Sequence, residues 1–363
     1  MAVPFLYVQA KGTYRQIGRA VGEAARPLIA AAVAFYEEHF VGMAGIGFDE
    51  AERQALQYLP YARRWLPQYV EELEGMAEGA DLPFVKLLVP NCAEEFTCSP
   101  DAGADGPPQG SPATGAARAC TAVAVMTADR HLVGHNMDWY VVDVDKNVLF
   151  DMTAPDGTRM LTISGVPYLP ILGMNSHGLG YVGNSLYSND NRAGVPNAFV
   201  RRWVLEASSV DEARARATMP TRARGSNHTL GDADGRILDV ETSAGAHAVI
   251  ESREWMAHTN HYVSPDMATY EGSGEQESRT RLVAAEALLA EGMARGEDPF
   301  ALVTRVLRDH STRPDSICGH EDENQPVAER SVTVASMVCD LDEGRLYACA
   351  GTPCDNPYQV FDL

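Results

Sequence analysis

The chain has 363 residues, of which 45% are hydrophobic, enough for one large body with a substantial core. Its 29 basic against 50 acidic residues give a formal charge of -21. Nucleic acid and anionic membrane surfaces would be repelled by this charge, so neither is an expected partner. The first residues carry no basic leader before a long apolar run, and no apolar stretch is long enough to span a bilayer. We therefore expect a soluble, unexported, cytoplasmic protein.

The first hundred residues predict helices. Apolar residues recur at spacings of three to five between Ile17 and Tyr36, with polar residues between them, as in a helix that faces a core. A second helical block is predicted from about 49 to 77, broken near Pro60 and Pro67. A further helix is predicted after Pro83. None of these segments carries an obvious reactive cluster.

A sharp change in composition follows. Residues 100–119 are almost entirely Ala, Gly, Pro and small polar residues, which cannot build a core. From Cys120 the chain reads CTAVAVMT and then HLVGHNMDWY, which predicts a hairpin that enters a sheet. A thiol at this boundary is a candidate N-terminal nucleophile if the bond between Ala119 and Cys120 is cleaved. The new α-amine would then serve as its general base, since both groups titrate near neutrality.

The rest of the chain predicts strands separated by turns, with helices between them. Asp156-Gly157, Asp234-Gly235 and Glu343-Gly344 each lie between apolar runs and indicate turns. Helices are predicted over about 197–217 and 277–289, and another around 300–310. The order of elements favours an α+β layered fold with a mostly antiparallel core, because helices come first and paired strands follow with helices between the strand blocks.

Seven cysteines in a chain without an export signal are expected to be reduced thiols. Most of them fit the role of small buried hydrophobic residues. Cys318 and His320 have the side-chain types that bind zinc, but no second close pair follows at zinc-finger spacing. The sequence therefore predicts no metal site and no cofactor.

Several segments resemble a known family in their order and spacing. These are GTYRQIGRAVGEAARPLI, ACTAVAVMTADRHLVGHNMDWY, LGMNSHGLGYVGNSL, DADGRILDVETSAG, HTNHYVSP, SICGH, TVASMVCDL and AGTPC. Together they resemble the acyl-coenzyme A:6-aminopenicillanic acid acyltransferases, also classed as C45 peptidases, among the N-terminal nucleophile hydrolases. The resemblance implies one domain over 1–363, folded as a four-layer αββα sandwich of two antiparallel sheets. Self-cleavage would separate a mainly helical chain, 1–119, which ends in the 100–119 linker, from a catalytic chain, 120–363.

The resemblance also implies roles for single residues. Cys120 is the nucleophile of self-cleavage and of catalysis, and Asp138 is the carboxylate that holds its α-amine. Asn260 matches the side-chain oxyanion donor, and Asn184 matches the position of a second donor from the backbone. His135 stands where related bile-salt and penicillin V hydrolases have an arginine three residues before the aspartate, which leaves its role open.

A late arginine near the nucleophile is a further feature of the family. Two candidates remain open from the sequence: Arg330, before the segment SVTVASM, and Arg279, at the start of the helix SRTRLVAAEALL. For either residue the alternative is a surface ion pair in this acidic protein.

The expected activity is acyl transfer through a thioester on Cys120. A small-molecule amide or acyl thioester would donate the acyl group, and an amine or water would accept it, which makes the enzyme an acyltransferase or an amidohydrolase. The sequence does not separate these two outcomes. An inactive family member that serves as a binding or scaffolding protein is the alternative in another class. A papain-like Cys-His pair is disfavoured because the segment after Cys120 predicts a strand.

Overall fold

The computed structural model describes residues 5–97, 120–272 and 276–363. The 100–119 linker and Ala119 lie outside the described residues. The helices are α1 (Tyr14–Ala44), α2 (Phe48–Trp65), α3 (Pro67–Ala80), α4 (Phe84–Asn91), α5 (Ala93–Thr97), α6 (Asn197–Leu205), α7 (Val210–Ala217), α8 (Gln276–Arg295) and α9 (Pro299–Leu307). The strands are β1 (Leu6–Lys11), β2 (Thr121–Met126), β3 (His131–Tyr140), β4 (Asn147–Thr153), β5 (Arg159–Gly165), β6 (Gly173–Asn175), β7 (Leu179–Val182), β8 (Ser226–Asp232), β9 (Ile237–Thr242), β10 (His247–Ser252), β11 (Trp255–His258), β12 (Ser331–Asp340), β13 (Arg345–Ala350) and β14 (Gln359–Asp362).

The described strands form two sheets. The larger has the order β1-β4-β5-β6-β7-β8-β9-β10, and the smaller has the order β11-β2-β3-β12-β13-β14. Neighbouring strands are antiparallel except β1, which pairs in parallel with β4. The predicted α+β fold with a mostly antiparallel core is therefore confirmed. The parallel edge strand β1 was not expected, because only helices were predicted in the first hundred residues.

Helices cover the outer faces of both sheets. Strands β2, β3, β12 and β13 of the smaller sheet contact β8, β7, β6 and β5 of the larger one, so the sheets lie face to face. Helices α1, α6 and α7 contact the larger sheet, whereas α8 and α9 contact the smaller one. The four-layer αββα sandwich expected from the resemblance is thus confirmed.

Strand β2 shows why the sequence after Thr121 is apolar at successive positions. Val123 and Val125 belong to the cluster that packs against α8 and α9, whereas Ala122 and Ala124 belong to the core between the sheets. Alternate side chains point to opposite faces of a strand, and here both faces are covered. Cys120 has the parity of Ala122, so its side chain is directed to the space between the sheets.

Most predicted elements are present. The hairpins β2–β3, β8–β9 and β12–β13 are confirmed. Helix α1 begins at a capping box in which Thr13 and Gln16 bond each other's backbone N–H groups, and it ends at Gly45, whose φ of 72° is left-handed. The break predicted near Pro60 is wrong, since α2 runs through this residue and ends only at Trp65.

Among the described residues, no single helix is long and apolar enough to cross a membrane. Helices α1 and α2 pass that test of length and composition only as a pair bent by 87°.

Candidate active site

Cys120 lies at the start of β2, on the wall of a cleft that contains about 710 Å³ of empty space, part of it open to solvent. Its thiol is buried and donates a hydrogen bond to the backbone carbonyl of Asp138 at 3.8 Å. Apolar side chains form much of the cleft wall: Met137, Trp139, Tyr168, Ile171, Leu172 and Val334. The thiol thus faces a pocket that suits a small, largely apolar ligand.

The thiol of Cys120 is protonated at neutral pH. Burial, together with the nearby charge of Asp138, raises its pKa to about 12. Because the thiolate is the nucleophilic form, a base has to remove this proton during any reaction at the sulfur.

Asp138 is held on the side of β3 that faces α8 and the segment before β12. Its Oδ1 accepts a hydrogen bond of 2.6 Å from the hydroxyl of Thr333. Its Oδ2 is buried and has no hydrogen-bond partner among the described residues. Burial raises the pKa of Asp138 to about 7, against the opposing effects of Thr333 and the positive charge of Arg281. A cation beside Oδ2 would stabilise the ionised carboxylate.

Arg281, on α8, joins Cys120 to Asn260. One of its terminal nitrogens donates to the backbone oxygen of Cys120 at 2.8 Å, and the other donates to Oδ1 of Asn260 at 3.2 Å. The guanidinium is almost fully buried. These bonds fix a backbone carbonyl and an amide at once, so the structure places Arg281 beside Cys120.

Neither arginine considered from the sequence occupies this place. Arg279 lies on α8 two residues earlier, about 200° around the helix axis, and pairs with Glu271 on the exposed side. Arg330 donates to the backbone oxygens of Gln325 and Glu323, which closes the loop before β12. Of these three arginines, the structure places Arg281 at Cys120 and the other two away from it.

The periodicity of α8 carried a signal for this residue. Ser278, Arg281, Leu282 and Ala285 are all buried and share one stripe at helical spacing. An arginine on the apolar stripe of an amphipathic helix is unusual, because buried arginines need partners.

Asn260 follows β11 and is oriented from both ends of its amide. Arg281 donates to its Oδ1, so the Nδ2 is the atom directed to Ser185, whose backbone oxygen accepts at 3.0 Å. Its backbone N–H donates to the hydroxyl of Ser278 at 2.7 Å. An amide nitrogen carries two N–H groups, so Nδ2 keeps one for a ligand while bonded to Ser185.

His135 and Asn184 meet at the cleft. Nε2 of His135 lies 3.2 Å from Oδ1 of Asn184, and the residues on either side of Asn184, Gly183 and Ser185, line the cleft with Cys120. Burial lowers the pKa of His135 to about 3, so the imidazole is neutral. His135 therefore supplies no positive charge to the cleft at neutral pH.

A buried polar network supports the loop that carries Asn260. Nε2 of His258 lies 2.8 Å from Glu241, whose two carboxylate oxygens also accept from the backbone N–H groups of Val263 and Ser264. Burial opposes protonation of His258, but Asp239 and Glu241 outweigh it and raise its pKa to about 9. The imidazolium and carboxylates therefore hold the 259–264 loop in place.

The acidic side of the cleft comes from the helical first hundred residues, where the sequence indicated no reactive cluster. Glu94, on α5, lines the cleft beside Arg201 and pairs with both Arg201 and Arg224. These two arginines overcome the effect of burial and lower the pKa of Glu94 to about 2. Burial raises the pKa of the neighbouring Glu95 to about 7. These residues were missed because their arginine partners lie more than a hundred positions away.

Comparison with known proteins decides the family. The model described as "Acyl-coenzyme A:6-aminopenicillanic acid acyl-transferase" matches residues 125–355, more than half of the chain. The chain belongs to this family. The matched region includes Asp138, Asn184, Asn260 and Arg281, and begins five residues after Cys120.

Among the curated relatives of this acyltransferase-family chain is the "Acyl-coenzyme A:6-aminopenicillanic-acid-acyltransferase 40 kDa form" of Emericella nidulans, 26% identical over 98% of this chain and 95% of the relative. The "Beta-alanyl-dopamine/carcinine hydrolase" of Drosophila melanogaster is 29% identical over 40% of each chain.

Two solved structures share part of the fold. A conjugated bile acid hydrolase from Clostridium perfringens is 16% identical, with a TM-score of 0.48 over 67% of this chain and 92% of that one. Penicillin V acylase from Agrobacterium tumefaciens is 19% identical, with a TM-score of 0.43 over 63% of this chain and 82% of that one.

Proposed function

We propose that this chain is a self-processing cysteine enzyme that forms a thioester on Cys120 and transfers the acyl group to an amine or to water. The observation that carries the proposal is the buried Oδ2 of Asp138, which has no hydrogen-bond partner among the described residues. Asp138 is also adjacent to Cys120, since its backbone oxygen accepts the hydrogen bond of the Cys120 thiol. A buried carboxylate without a partner is costly, and an α-ammonium on Cys120 would supply one.

Self-cleavage creates this ammonium. The Cys120 sulfur attacks the carbonyl carbon of Ala119, the carbon–nitrogen bond breaks as the carbon–sulfur bond forms, and the amide nitrogen gains a proton. Water then hydrolyses the thioester, which releases the carboxylate of Ala119 and regenerates the thiol. The bond between Arg281 and the Cys120 carbonyl supports this step, because it holds the backbone of the nucleophile while the adjoining peptide bond rearranges.

In turnover the α-amine of Cys120 takes the proton of the thiol, and the sulfur attacks the donor carbonyl. Nδ2 of Asn260 and the backbone N–H of Asn184 would stabilise the oxyanion, and each of these donors works without a change of protonation. The α-ammonium then protonates the leaving group, which leaves a thioester on Cys120. An amine or water attacks that thioester and gives its proton to the α-amine. The carbon–sulfur bond then breaks, and the α-ammonium returns the proton to the departing sulfur, which restores the thiol.

The choice of acceptor depends on how the cleft holds an amine and excludes water. The largely apolar wall around Trp139 and Tyr168 favours an apolar acyl group. The names of the relatives include both an acyltransferase and a hydrolase, so both outcomes remain within the proposal. An inactive binding protein is the alternative, and the convergence of Cys120, Asp138, Asn260 and Arg281 argues against it.

The proposal is tested by trapping the acyl-enzyme. The full chain is incubated with a panel of amides and acyl thioesters, denatured in acid and digested, and the peptide that begins at Cys120 is examined by mass spectrometry. We expect an acyl group on this peptide and none on peptides with Cys92, a buried thiol outside the cleft. A Cys120→Ala variant is the control for labelling elsewhere. If no member of a broad panel acylates Cys120 in protein with native circular dichroism, the binding-protein alternative replaces the enzyme.

A further inference from the structure

Four potential metal ligands converge at one place outside the cleft. His310 follows α9, Cys318 and His320 lie in the segment before β12, and Cys354 follows β13. One donor atom from each of the four lies within 4.8 Å of all the others. Cys318 is buried, while His320 and Cys354 are exposed, so the cluster lies at the surface.

Four of the six distances between the donor atoms lie within about 0.4 Å of those in a tetrahedral zinc site, and the other two are below 4.8 Å. The two sulfurs are 3.6 Å apart, and Nε2 of His320 lies 3.9 Å from the Cys318 sulfur and 3.4 Å from the Cys354 sulfur. The Nε2 atoms of His310 and His320 are 2.9 Å apart. With zinc–sulfur bonds of about 2.3 Å and zinc–nitrogen bonds of about 2.0–2.1 Å, the edges of a tetrahedron are about 3.8, 3.6 and 3.3 Å for S–S, S–N and N–N pairs.

We propose that His310, Cys318, His320 and Cys354 bind one Zn²⁺ as a Cys₂His₂ site. Two sulfur and two imidazole donors at tetrahedral separation favour zinc over the oxygen-binding cations. The two thiols lose their protons to solvent on binding, so two thiolates balance the charge of the ion. The hydrogen bond of 3.2 Å that the Cys354 thiol donates to Asp355 is lost when the thiol is deprotonated.

All four positions are filled by protein side chains, which is typical of a structural zinc site rather than a catalytic one. The ion would tie the connection between α9 and β12, which carries three of the ligands, to the segment after β13, which carries Cys354. No step of the proposed acyl transfer requires it.

The cluster is linked to the active site through Gly319, between two of the ligands. The N–H of Gly319 donates to the hydroxyl of Thr333 at 2.9 Å, and this hydroxyl donates to Asp138. A Cβ on Gly319 would lie 3.3 Å from Oδ2 of Asp138. The zinc site would therefore fix the backbone that closes over the carboxylate of Asp138.

The prediction of no metal site rested on local spacing. Cys318 and His320 lacked a second close pair, and the partners that the fold supplies lie 8 residues before and 34 residues after that pair. A disulfide between Cys318 and Cys354 is the competing use of the two sulfurs, and it would leave both imidazoles without a common partner.

The full chain is purified under reducing conditions, loaded with zinc and desalted, and its metal content is measured by mass spectrometry. We expect about one zinc per chain. The exposed ligand variants His320→Gln and Cys354→Ser should bind zinc about 100-fold more weakly, because even outer-shell changes cost 10–100-fold. Cys92→Ala and His247→Gln, which alter a cysteine and a histidine outside the cluster, should bind as the wild type does.

Cobalt replacement gives a second readout that does not depend on activity. Co²⁺ in the wild type should show the charge-transfer absorption of thiolate ligands, and Cys354→Ser should reduce it. Two results would overturn the proposal. One is a zinc content that is no higher in the wild type than in the ligand variants. The other is a chain that is isolated two hydrogens lighter, as a disulfide between Cys318 and Cys354 requires, and that does not bind zinc after the disulfide is reduced. Circular dichroism of each variant separates loss of a ligand from loss of the fold.

Discussion

At the scale of single residues, the position of Arg281 explains how one side chain serves two parts of the site. It holds the carbonyl of Cys120 and the amide oxygen of Asn260 with different nitrogens of one guanidinium. Lysine carries the same charge but lacks the planar fork that makes both bonds. The site therefore depends on the shape of this cation as well as on its charge.

Arg281→Lys should lower both the extent of cleavage at Cys120 and kcat, the latter by about 100-fold, since loss of a positioning contact near the nucleophile has effects of this size. Gel analysis of cleavage and steady-state kinetics measure the two effects. Arg279→Lys is the matched control, because Arg279 lies on the same helix and pairs with Glu271 at the surface. Equal behaviour of the two variants would refute the assignment to Arg281.

Asp138 should make the uncleaved chain less stable as pH rises. Its folded pKa of about 7 lies above the usual value of about 3.9 for an unfolded aspartate, so the unfolded state loses this proton first. The contribution of Asp138 to the free energy of unfolding is therefore full below about pH 4 and is lost as pH rises to about 7, a change of a few kcal/mol.

Urea denaturation of Cys120→Ala, which cannot cleave itself, measures this effect against the double variant Cys120→Ala/Asp138→Asn. Asparagine keeps an acceptor for Thr333 and does not ionise. The free energy of unfolding of the double variant should fall less between pH 4 and pH 7. Glu95, whose pKa is also raised, contributes equally to both proteins, so its effect cancels in the comparison. Identical pH slopes would mean that Asp138 is not the buried acid described here.

The sequence indicated Cys120, Asp138, Asn184, Asn260 and His135 as site residues. In the structure Cys120 and His135 line the cleft, and Asn184 contacts His135. Arg281 links Cys120 to Asn260, and Asp138 lies beside Thr333 on the side of β3 that faces α8. Each lies in a short motif, so a motif was enough to find it. Arg281 and Glu94 escaped because their roles come from packing between distant segments. Choosing Arg281 over Arg279 requires knowing which face of α8 is buried, and that face is set by the sheet beneath it.

At the scale of elements, helices α1 and α3 approach unusually closely through glycines. A Cβ on Gly75 would lie 2.1 Å from the backbone oxygen of Arg15, and one on Gly18 would lie 1.7 Å from that of Glu72. Gly22 and Gly79 repeat these contacts one turn later. No side chain fits between the two backbones, so the contact depends on the missing Cβ atoms.

Gly75→Ala should destabilise the folded protein by about 3 kcal/mol or more, at the upper end of overpacking effects, since the obstructing atoms are backbone. Gly47→Ala is the control, because a Cβ on Gly47 would have no neighbour within 4 Å and the φ of -69° at this position suits any residue. The control should change the free energy of unfolding by less than about 1 kcal/mol. Thermal and urea unfolding give both values. A mild effect at Gly75 would show that the helices separate easily.

The elements best predicted from the sequence were those with local signals. Alternating apolar residues and Gly turns gave the hairpins, and helical spacing gave α1 and α8. Strand β1 was missed because Leu6–Lys11 pairs with β4, which is more than 140 residues away, and a parallel edge strand has no turn to mark it. Pro60 does not end α2, since an established helix can tolerate a proline when tertiary packing compensates.

At the scale of the whole molecule, the residues before the linker are part of the sandwich and of the cleft. β1 belongs to the larger sheet, α1 packs against it, and Glu94 forms ion pairs with Arg201 and Arg224. Cleavage before Cys120 would therefore leave two chains that share one core. We expect them to elute together under native conditions and to separate only in denaturant.

Whether Cys120 becomes a chain terminus is decided by the intact mass of the freshly purified protein under denaturing conditions. The wild type should give two chains, residues 1–119 and 120–363, whose masses add up to the precursor plus one water. Cys120→Ala should give one chain of full length. A single full-length chain in both proteins would contradict self-processing and with it the α-amine as the catalytic base.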